Sequence, residues 1–259
     1  MNTVTSNDGT IIAFDRSGDG PPVVLVCGGS TDASANAPLA IQLANHFTVF
    51  NYNRRGRGDS GDTAPYAVER EVEDLGAVIA AAGGSAGVYG TSSGAALALE
   101  AAASGLPITK LALWEPPYSV DASRPRPPAD TAQIYTKLVS AGRRGDAVEY
   151  FMAKVVGLPA EFVAEARTAP FWQAQEDLAH TLAYDATIMG DYLLPTDRVA
   201  AVTTPTLVLT GGASLPWMHE TAQAIADIIP GAQHRILEGQ THDVAADVMA
   251  AALTAFFTS

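Results

Sequence analysis

The chain has 259 residues, of which 47% are apolar, and it carries a formal charge of −13 at pH 7. This length suits one α/β domain with an insertion, and the apolar share provides a sizeable core and argues against wholesale disorder. The acidic surface repels phosphate backbones and anionic lipid, so we expect neither nucleic-acid binding nor membrane binding.

Short apolar runs that predict strands alternate with longer Ala/Leu-rich runs that predict helices. The predicted strands span residues 10–14, 22–27, 48–52, 87–89, 110–114, 206–209 and 234–237. Several of these runs are apolar throughout, as strands buried on both faces of a parallel sheet are. The predicted helices between them span residues 38–46, 68–82, 94–104, 218–229 and 244–257. This alternation predicts a doubly wound, mostly parallel α/β sheet with helices on both faces.

Residues 116–202 interrupt this alternation, because no buried strand is predicted among them. Helix-like runs occur instead at residues 131–141, 146–156, 159–166 and 171–183. The segment is longer than a single crossover needs, so we predict a helical cap between the predicted strands at residues 110–114 and 206–209, which are strands 6 and 7 of an eight-stranded sheet. The predicted core then comprises residues 1–115 and 203–259, and the alternative is a set of ordinary crossover helices.

The most informative segment is Gly90-Thr91-Ser92-Ser93-Gly94, which follows a short strand and precedes an Ala/Leu-rich helix. This is the G-x-S-x-G pattern in its strand–turn–helix context. The flanking glycines leave room for a sharp turn that exposes the serine oxygen at a helix N-terminus, where developing negative charge is favoured. Only Ser92 has glycine at both flanking offsets, so it is the predicted nucleophile. The alternative is a Gly/Ser-rich turn without chemistry.

Together with this turn, the chain resembles the α/β-hydrolase superfamily over almost its full length. Segment 8–14 is similar to the first hairpin of the family, and segment 23–29 to the strand that ends in His-Gly-x. Segment 52–60 resembles the loop D-x-R-G-x-G-x-S, and segment 240–243 resembles the late loop that carries the catalytic histidine. The matches occur in the order of the family, and the resemblance implies its eight-stranded sheet.

The chain departs from the family pattern at two positions, with Cys27 in place of the usual histidine and Asn53 in place of the frequent aspartate. Neither position normally takes part in the chemistry. We interpret Cys27 as a small buried apolar residue at a strand end. Arg54, Arg55 and Arg57 are interpreted as structural residues that bond carbonyls and carboxylates, although an anion site is the alternative.

His242 is the predicted base, because of the five histidines it alone occupies a loop between the last strand and the final helix. In a doubly wound sheet that loop lies at the carboxyl edge of the strands, beside the nucleophile turn. A neutral imidazole there takes the serine proton and returns it to the leaving group. The resemblance also implies an oxyanion hole made by the backbone N–H groups of Gly29 and Ser93.

The acid that orients the histidine is missing from its usual place. In most of the superfamily it follows the strand after the cap, where this chain has Ser214 and no Asp or Glu between Asp197 and Glu220. Some haloalkane dehalogenases of the superfamily carry it at the end of the strand before the cap, and Glu115 occupies that position. We therefore predict Glu115 as the acid, against the alternative of a surface or hinge carboxylate. Weaker candidates are Asp243, Asp32 and Asp121.

A serine at the turn favours acyl transfer, because the dehalogenases and epoxide hydrolases of the superfamily use aspartate there. The predicted substrate is a small or medium apolar carboxylic ester or lactone. Hydrolysis of a C–C bond or an amide uses similar groups and stays open. A ligand-binding or signalling module with a degraded triad, and a lyase or cyclase on the same scaffold, are the remaining alternatives.

Aromatic and methionine residues of the cap are candidates for the substrate pocket, although packing between cap helices is an equal alternative for each. The selected pocket candidates are Phe151, Trp172, Met189 and Tyr192. No metal-ligand spacing and no dinucleotide fingerprint occur, so no metal and no cofactor are predicted. The expected partner is a small-molecule substrate. The polar N-terminus and the lack of a long apolar stretch predict a cytoplasmic location.

Overall fold

The computed structural model describes residues 1–121 and 125–259 and contains an eight-stranded sheet. Its strands are β1 (Asn2–Thr5), β2 (Ile11–Ser17), β3 (Pro22–Val26), β4 (Thr48–Tyr52), β5 (Ala86–Thr91), β6 (Ile108–Trp114), β7 (Thr206–Gly211) and β8 (Gln233–Leu237). Their spatial order is β1-β2-β4-β3-β5-β6-β7-β8. Only the β1–β2 and β2–β4 pairs are antiparallel, so the predicted mostly parallel sheet is confirmed.

Eleven α-helices occur in the part of the chain that the structure describes. They are α1 (Ala37–Leu43), α2 (Val68–Ala81), α3 (Ser93–Ala103), α4 (Thr131–Ser140), α5 (Arg144–Tyr150), α6 (Ala160–Ala166), α7 (Trp172–Leu178), α8 (Leu182–Met189), α9 (Thr196–Ala200), α10 (Pro216–Ile228) and α11 (Ala246–Thr258). Helices α4 to α9 lie between β6 and β7 in the chain, and a π-helical turn at Phe151–Val156 follows α5.

The central strands β3 to β7 bury both of their faces under helices. Along β3, Val24 packs in the cluster that includes helices α2, α3 and α10, whereas Val23 and Leu25 pack in the opposite cluster with α1 and α11. Alternate side chains of one apolar strand thus face two separate cores, which explains why its sequence shows no polar alternation.

The helices between β6 and β7 have an apolar cluster of their own. Tyr135, Val148, Trp172 and Leu182 are buried together in it, and α8 also contacts α3 of the core. The division into a core and a cap remains a prediction, and residues 122–124 of the predicted cap lie outside the described residues.

The main differences from the predicted elements lie where local patterns are weak. Strand β1 was not among the predicted runs, because it is short and mostly exposed. The run predicted as one helix over residues 171–183 is divided, since a 3₁₀ turn at Ala179–Thr181 separates α7 from α8. The run over residues 146–156 likewise changes from an α-helix to the π-helical turn.

The loop after β4 contains three fully buried arginines, each paired with carboxylates or carbonyls. Arg54 donates to both carboxylate oxygens of Glu71, from Nε at 2.7 Å and from Nη2 at 2.9 Å. Arg55 binds Asp74 in the same bidentate way, at 2.7 Å for both contacts. The predicted structural interpretation of these arginines therefore agrees with their contacts, because buried guanidinium groups need such partners.

Acid is expected to weaken this fold through Asp8. Burial alone raises the pKa of Asp8, but hydrogen bonds from Thr10 and Arg55 outweigh burial and hold that pKa well below its usual value. A depressed folded pKa contributes stability that is present above the unfolded pKa and is lost as pH falls towards the folded one. The difference in urea midpoint between wild type and Asp8→Asn should therefore narrow from about pH 5 to about pH 2.

Asp19→Asn is the matched control for this experiment, because Asp19 is exposed and has no ion pair among the residues described. The difference in urea midpoint between Asp19→Asn and wild type should stay constant over the same pH range. Wild type and Asp8→Asn curves that run parallel at every pH would contradict the assigned coupling.

Candidate active site

Ser92 lies at a strained turn between β5 and α3. Its φ of 53° and ψ of −125° lie outside the regions that residues with a Cβ normally adopt. A Cβ on Gly90 would lie 2.5 Å from the Gly94 carbonyl oxygen, and a Cβ on Gly94 would lie 2.3 Å from the carbonyl oxygen of Cys27. Both glycines are therefore required by close backbone approach, and the turn presents Ser92 half-buried at the end of the sheet.

The turn lies at the point where the strand order reverses. The chain passes from β3 to β4 on one side and then to β5 on the other, so the carboxyl ends of β3 and β5 flank a crevice. Gly29 follows β3, and Ser93 is the first residue of α3. Because the first N–H groups of a helix have no intrahelical acceptor, the Ser93 N–H is available to a ligand.

Buried arginines fix the loop that carries Gly29. Arg57 donates to the carbonyl oxygens of Gly28 and Thr31, at 2.6 and 2.9 Å. Arg54 donates to the carbonyl oxygen of Cys27 at 3.3 Å. Two guanidinium groups thus hold the loop carbonyls on the side away from solvent, where Cys27 is fully buried as its sequence position predicted.

His242 is paired with Glu115. The distance from His242 Nδ1 to Glu115 Oε2 is 2.6 Å, and the second carboxylate oxygen accepts a hydrogen bond from the N–H of Gly211 at 2.8 Å. Burial raises the pKa of Glu115, but the hydrogen bonds from His242 and Gly211, with smaller contributions from Ser214 and from the charge of His242, outweigh burial and hold the pKa below its usual value. The carboxylate is thus ionised at neutral pH beneath an imidazole whose side chain is 46% exposed.

Trp114 links the turn at Ser92 to the loop that carries His242. Its carbonyl oxygen accepts a hydrogen bond from the N–H of Ser92 at 2.9 Å, and its indole donates to the carbonyl oxygen of His242 at 2.9 Å. Ser92 and His242 line one cavity. The residues that the structure describes show no direct hydrogen bond between these two side chains, a contact that often tightens only when substrate binds.

The cavity above Ser92 has a volume of about 890 Å³. Of the predicted pocket residues, Phe151, Met189 and Tyr192 line it. Trp172 does not line the cavity, so its prediction as a pocket residue is wrong. It packs inside the cluster of inserted helices, its indole donates to Glu176 at 2.8 Å, and Arg167 lies over its ring. A large aromatic residue with such contacts is part of the packing between helices.

The comparison with known sequences decides the family. The profile of the Alpha/beta hydrolase family matches residues 23–255. The chain belongs to the alpha/beta hydrolase family.

Known structures and proteins similar to this alpha/beta hydrolase support the assignment. It is 58% identical to an alpha/beta hydrolase from Sphaerobacter thermophilus DSM 20745, with a TM-score of 0.93 over 99% of this chain and 100% of that one. The esterase EaEST from Exiguobacterium antarcticum shares the fold at 20% identity, with a TM-score of 0.78 over 100% of this chain and 99% of the other.

A curated relative matches over a shorter segment. The uncharacterized hydrolase YraK of Bacillus subtilis (strain 168) is 36% identical over an alignment of 107 residues that covers 38% of this chain. The match spans only 40% of the length of that relative.

Asp185 is a cavity residue of this hydrolase that sequence reasoning did not select. It lies on α8, whose sequence Leu-Ala-Tyr-Asp-Ala-Thr-Ile-Met contains no other charge, and it is 6% exposed. Its Oδ1 atom accepts hydrogen bonds from Arg54, Arg57 and Ser93, at 2.9, 2.8 and 2.8 Å. A lone charge in an otherwise apolar helix was the available signal, because a buried charge requires partners or a function.

Within residues 1–121 and 125–259 of this hydrolase, no helix is long and apolar enough to cross a membrane. The same residues also contain no group of three or more His, Cys, Asp or Glu residues arranged to hold a metal ion.

Proposed function

We propose that this alpha/beta hydrolase cleaves a small or medium apolar carboxylic ester or lactone by way of an acyl-enzyme on Ser92. His242 is the base, Glu115 orients it, and the N–H groups of Gly29 and Ser93 bind the oxyanion. The observation that carries the proposal is the 2.6 Å contact between His242 and the buried Glu115, in a cavity that Ser92 also lines. An ionised carboxylate held against an imidazole at a serine turn is the arrangement that nucleophilic acyl transfer requires.

The carboxylate determines which imidazole nitrogen is the base. Since Glu115 is ionised and accepts at Nδ1, the proton of neutral His242 resides on Nδ1 and leaves Nε2 free. Nε2 removes the proton of Ser92 as its oxygen forms a bond to the substrate carbonyl carbon. The carbonyl oxygen becomes an oxyanion, and Glu115 stabilises the imidazolium.

The second half of the reaction regenerates the enzyme. His242 returns the proton to the leaving alkoxide as the C–O bond of the ester breaks, which leaves an acyl group on Ser92. A water molecule, deprotonated by His242, then attacks the acyl carbon, and the carboxylic acid and the serine hydroxyl are released.

The lining of the cavity supports an apolar substrate. Leu39, Phe151, Leu182, Met189 and Met218 face the space around Ser92, and a volume of about 890 Å³ accommodates more than an acetyl ester. The substrate expected from this lining is a small molecule with a medium-length aliphatic or aromatic group.

A fluorophosphonate probe and an ester series test the proposal together. Folded wild type should be labelled, the label should be lost in Ser92→Ala, and kcat/KM for p-nitrophenyl esters from acetate to laurate should peak between these ends. Ser93→Ala is the matched control and should keep the label, because its backbone N–H is retained. Folded wild type, checked by circular dichroism, that takes up no label would overturn the serine mechanism and favour a binding module.

A further inference from the structure

A polar recess interrupts the apolar wall of the cavity next to the proposed oxyanion hole. The recess comprises Asp185, Tyr135 and Tyr192, all of which line the cavity. Asp185 Oδ2 and Tyr135 Oη are buried and have no hydrogen-bond partner among the described residues. Buried polar atoms are nearly always paired with protein or with ordered water, so two unpaired atoms on residues that line one cavity mark a place where a polar substrate group can bind.

The recess lies close to where the substrate carbonyl would sit. A Cβ added to Gly29 would lie 3.2 Å from Asp185 Oδ2 and 3.3 Å from the hydroxyl oxygen of Ser93. Asp185 therefore packs against both residues whose N–H groups bind the oxyanion in the proposed function. A substrate group that reaches Oδ2 must be attached within a few bonds of the reacting carbonyl carbon.

The charge of the recess selects a neutral group. Oδ1 of Asp185 is bound by Arg54 and Arg57, and Arg54 is also paired with Glu71. Two cations and two carboxylates compensate one another, so the recess offers no excess negative charge to a substrate ammonium group. The buried pairing keeps Asp185 ionised: burial raises its pKa, but Arg57 and Arg54 outweigh burial and lower it.

The recess presents one hydrogen-bond acceptor, the carboxylate of Asp185, and two donors, the hydroxyls of Tyr135 and Tyr192. An ionised carboxylate oxygen only accepts hydrogen bonds, whereas a phenol hydroxyl donates. Burial raises the pKa of Tyr135 and of Tyr192, and the charge of Asp185 raises both further, so both phenols keep their protons. A hydroxyl is the simple neutral group that donates to a carboxylate and accepts from a phenol at a single atom.

We propose that Asp185, Tyr135 and Tyr192 form a subsite for a substrate hydroxyl carried near the scissile carbonyl, so that the substrate is a hydroxylated ester or lactone. This inference rests on the proposed function, because the position of the carbonyl is taken from Ser92 and the oxyanion hole.

Four esters of equal chain length test the subsite: ethyl hexanoate, ethyl 2-hydroxyhexanoate, ethyl 3-hydroxyhexanoate and 2-hydroxyethyl hexanoate, the chiral ones as single enantiomers. At least one hydroxyl ester should exceed ethyl hexanoate in kcat/KM by about tenfold or more, after division by its rate of alkaline hydrolysis. Equal corrected values for all four esters would overturn the proposal, since the recess would then hold no substrate group.

Tyr135→Phe tests the subsite more directly. The hydroxyl that this substitution removes has no hydrogen-bond partner among the described residues, so its loss should not weaken the fold. The ratio of kcat/KM for the preferred ester to that for ethyl hexanoate should fall about tenfold in this variant. The comparison is between proteins, so differences in the intrinsic reactivity of the esters cancel. Tyr184→Phe is the matched control: this neighbour of Asp185 donates to Asp62 outside the cavity lining, and its ratio should equal that of wild type.

A preference that survives in Tyr135→Phe and in Asp185→Asn would also overturn the subsite. If none of the esters is hydrolysed, the proposed function fails on its own, and binding then decides the subsite. Calorimetric titration of Ser92→Ala with ethyl 3-hydroxyhexanoate, ethyl 2-hydroxyhexanoate and ethyl hexanoate should give a lower Kd for a hydroxyl ester. Equal Kd values for all three would contradict the subsite without any reference to turnover.

Discussion

Glu115→Gln is expected to lower kcat on the order of 10⁴-fold while KM changes little. The carboxylate does not touch the substrate, so ground-state binding is retained. What is lost is the orientation of His242 and the stabilisation of its charged form in the transition state. The size of the expected effect follows from the burial of Glu115, which is 1% exposed, because an electrostatic interaction of a buried group is stronger than one in water.

The two hydrogen bonds of Glu115 make glutamine a demanding replacement. Both carboxylate oxygens accept: one from Gly211 N–H at 2.8 Å and the other from His242 Nδ1 at 2.6 Å. An amide has only one acceptor oxygen. If that oxygen faces Gly211, the NH₂ group faces Nδ1 and favours the tautomer with its proton on Nε2, which cannot accept the proton of Ser92.

Steady-state kinetics with a p-nitrophenyl ester checks this prediction, with circular dichroism to verify the fold. Ser214→Ala is the matched control, because Ser214 occupies the usual acid position of the family and lines the same cavity. Its kcat should change far less than that of Glu115→Gln. Near-normal turnover in Glu115→Gln would overturn the assignment of the acid.

Ser92→Ala is expected to reduce kcat on the order of 10⁶-fold, because the neighbouring hydroxyls of Thr91 and Ser93 are paired with Tyr89 and Asp185 and do not replace the proposed nucleophile. The residual rate then comes from binding and from the two oxyanion donors. Ser93→Ala should lose far less activity, since it keeps its N–H and gives up only the hydrogen bonds of its side chain, which donates to Asp185 at 2.8 Å and accepts from Arg54 at 3.4 Å.

The strain at this turn predicts a separate effect on stability. Ser92 has a φ of 53°, a conformation that costs a residue with a Cβ more than it costs glycine. Ser92→Gly should therefore be as inactive as Ser92→Ala, and its midpoint of thermal unfolding should lie above that of Ser92→Ala.

A burst of product from Ser92→Ala, or turnover of this variant at the wild-type rate, would show that another group is the nucleophile.

Much of the sheet could be predicted because its strands follow from local patterns. The apolar runs at β3, β5, β6 and β7 match buried strands, since each must supply side chains to two cores. Strand β1 could not be found this way. Its residues are mostly exposed, so its place at the sheet edge depends on pairing with β2 and not on an apolar pattern.

Within the candidate site, the features that could be predicted from the sequence are those encoded in a few adjacent residues. Glycines around Ser92 are required by backbone contacts inside one strand–turn–helix unit, so five residues sufficed to indicate the turn. The prediction that Trp172 lines the pocket was wrong because no local pattern determines which way its side chain faces. An aromatic residue in an inserted helix can face either the cavity or a neighbouring helix, and its sequence neighbours do not distinguish the two.

The sequence alone determined the strand–helix alternation, the position of the nucleophile turn and the pairing candidates at the strand ends. Only the tertiary structure decided that Asp185 reaches across from α8 to Arg54 and Arg57, 131 and 128 residues away in the chain. The physical reason is the distance along the chain over which each effect acts. Periodicity and turn chemistry depend on a few adjacent residues. The partner of a buried charge depends on how distant segments pack, which local sequence patterns do not determine.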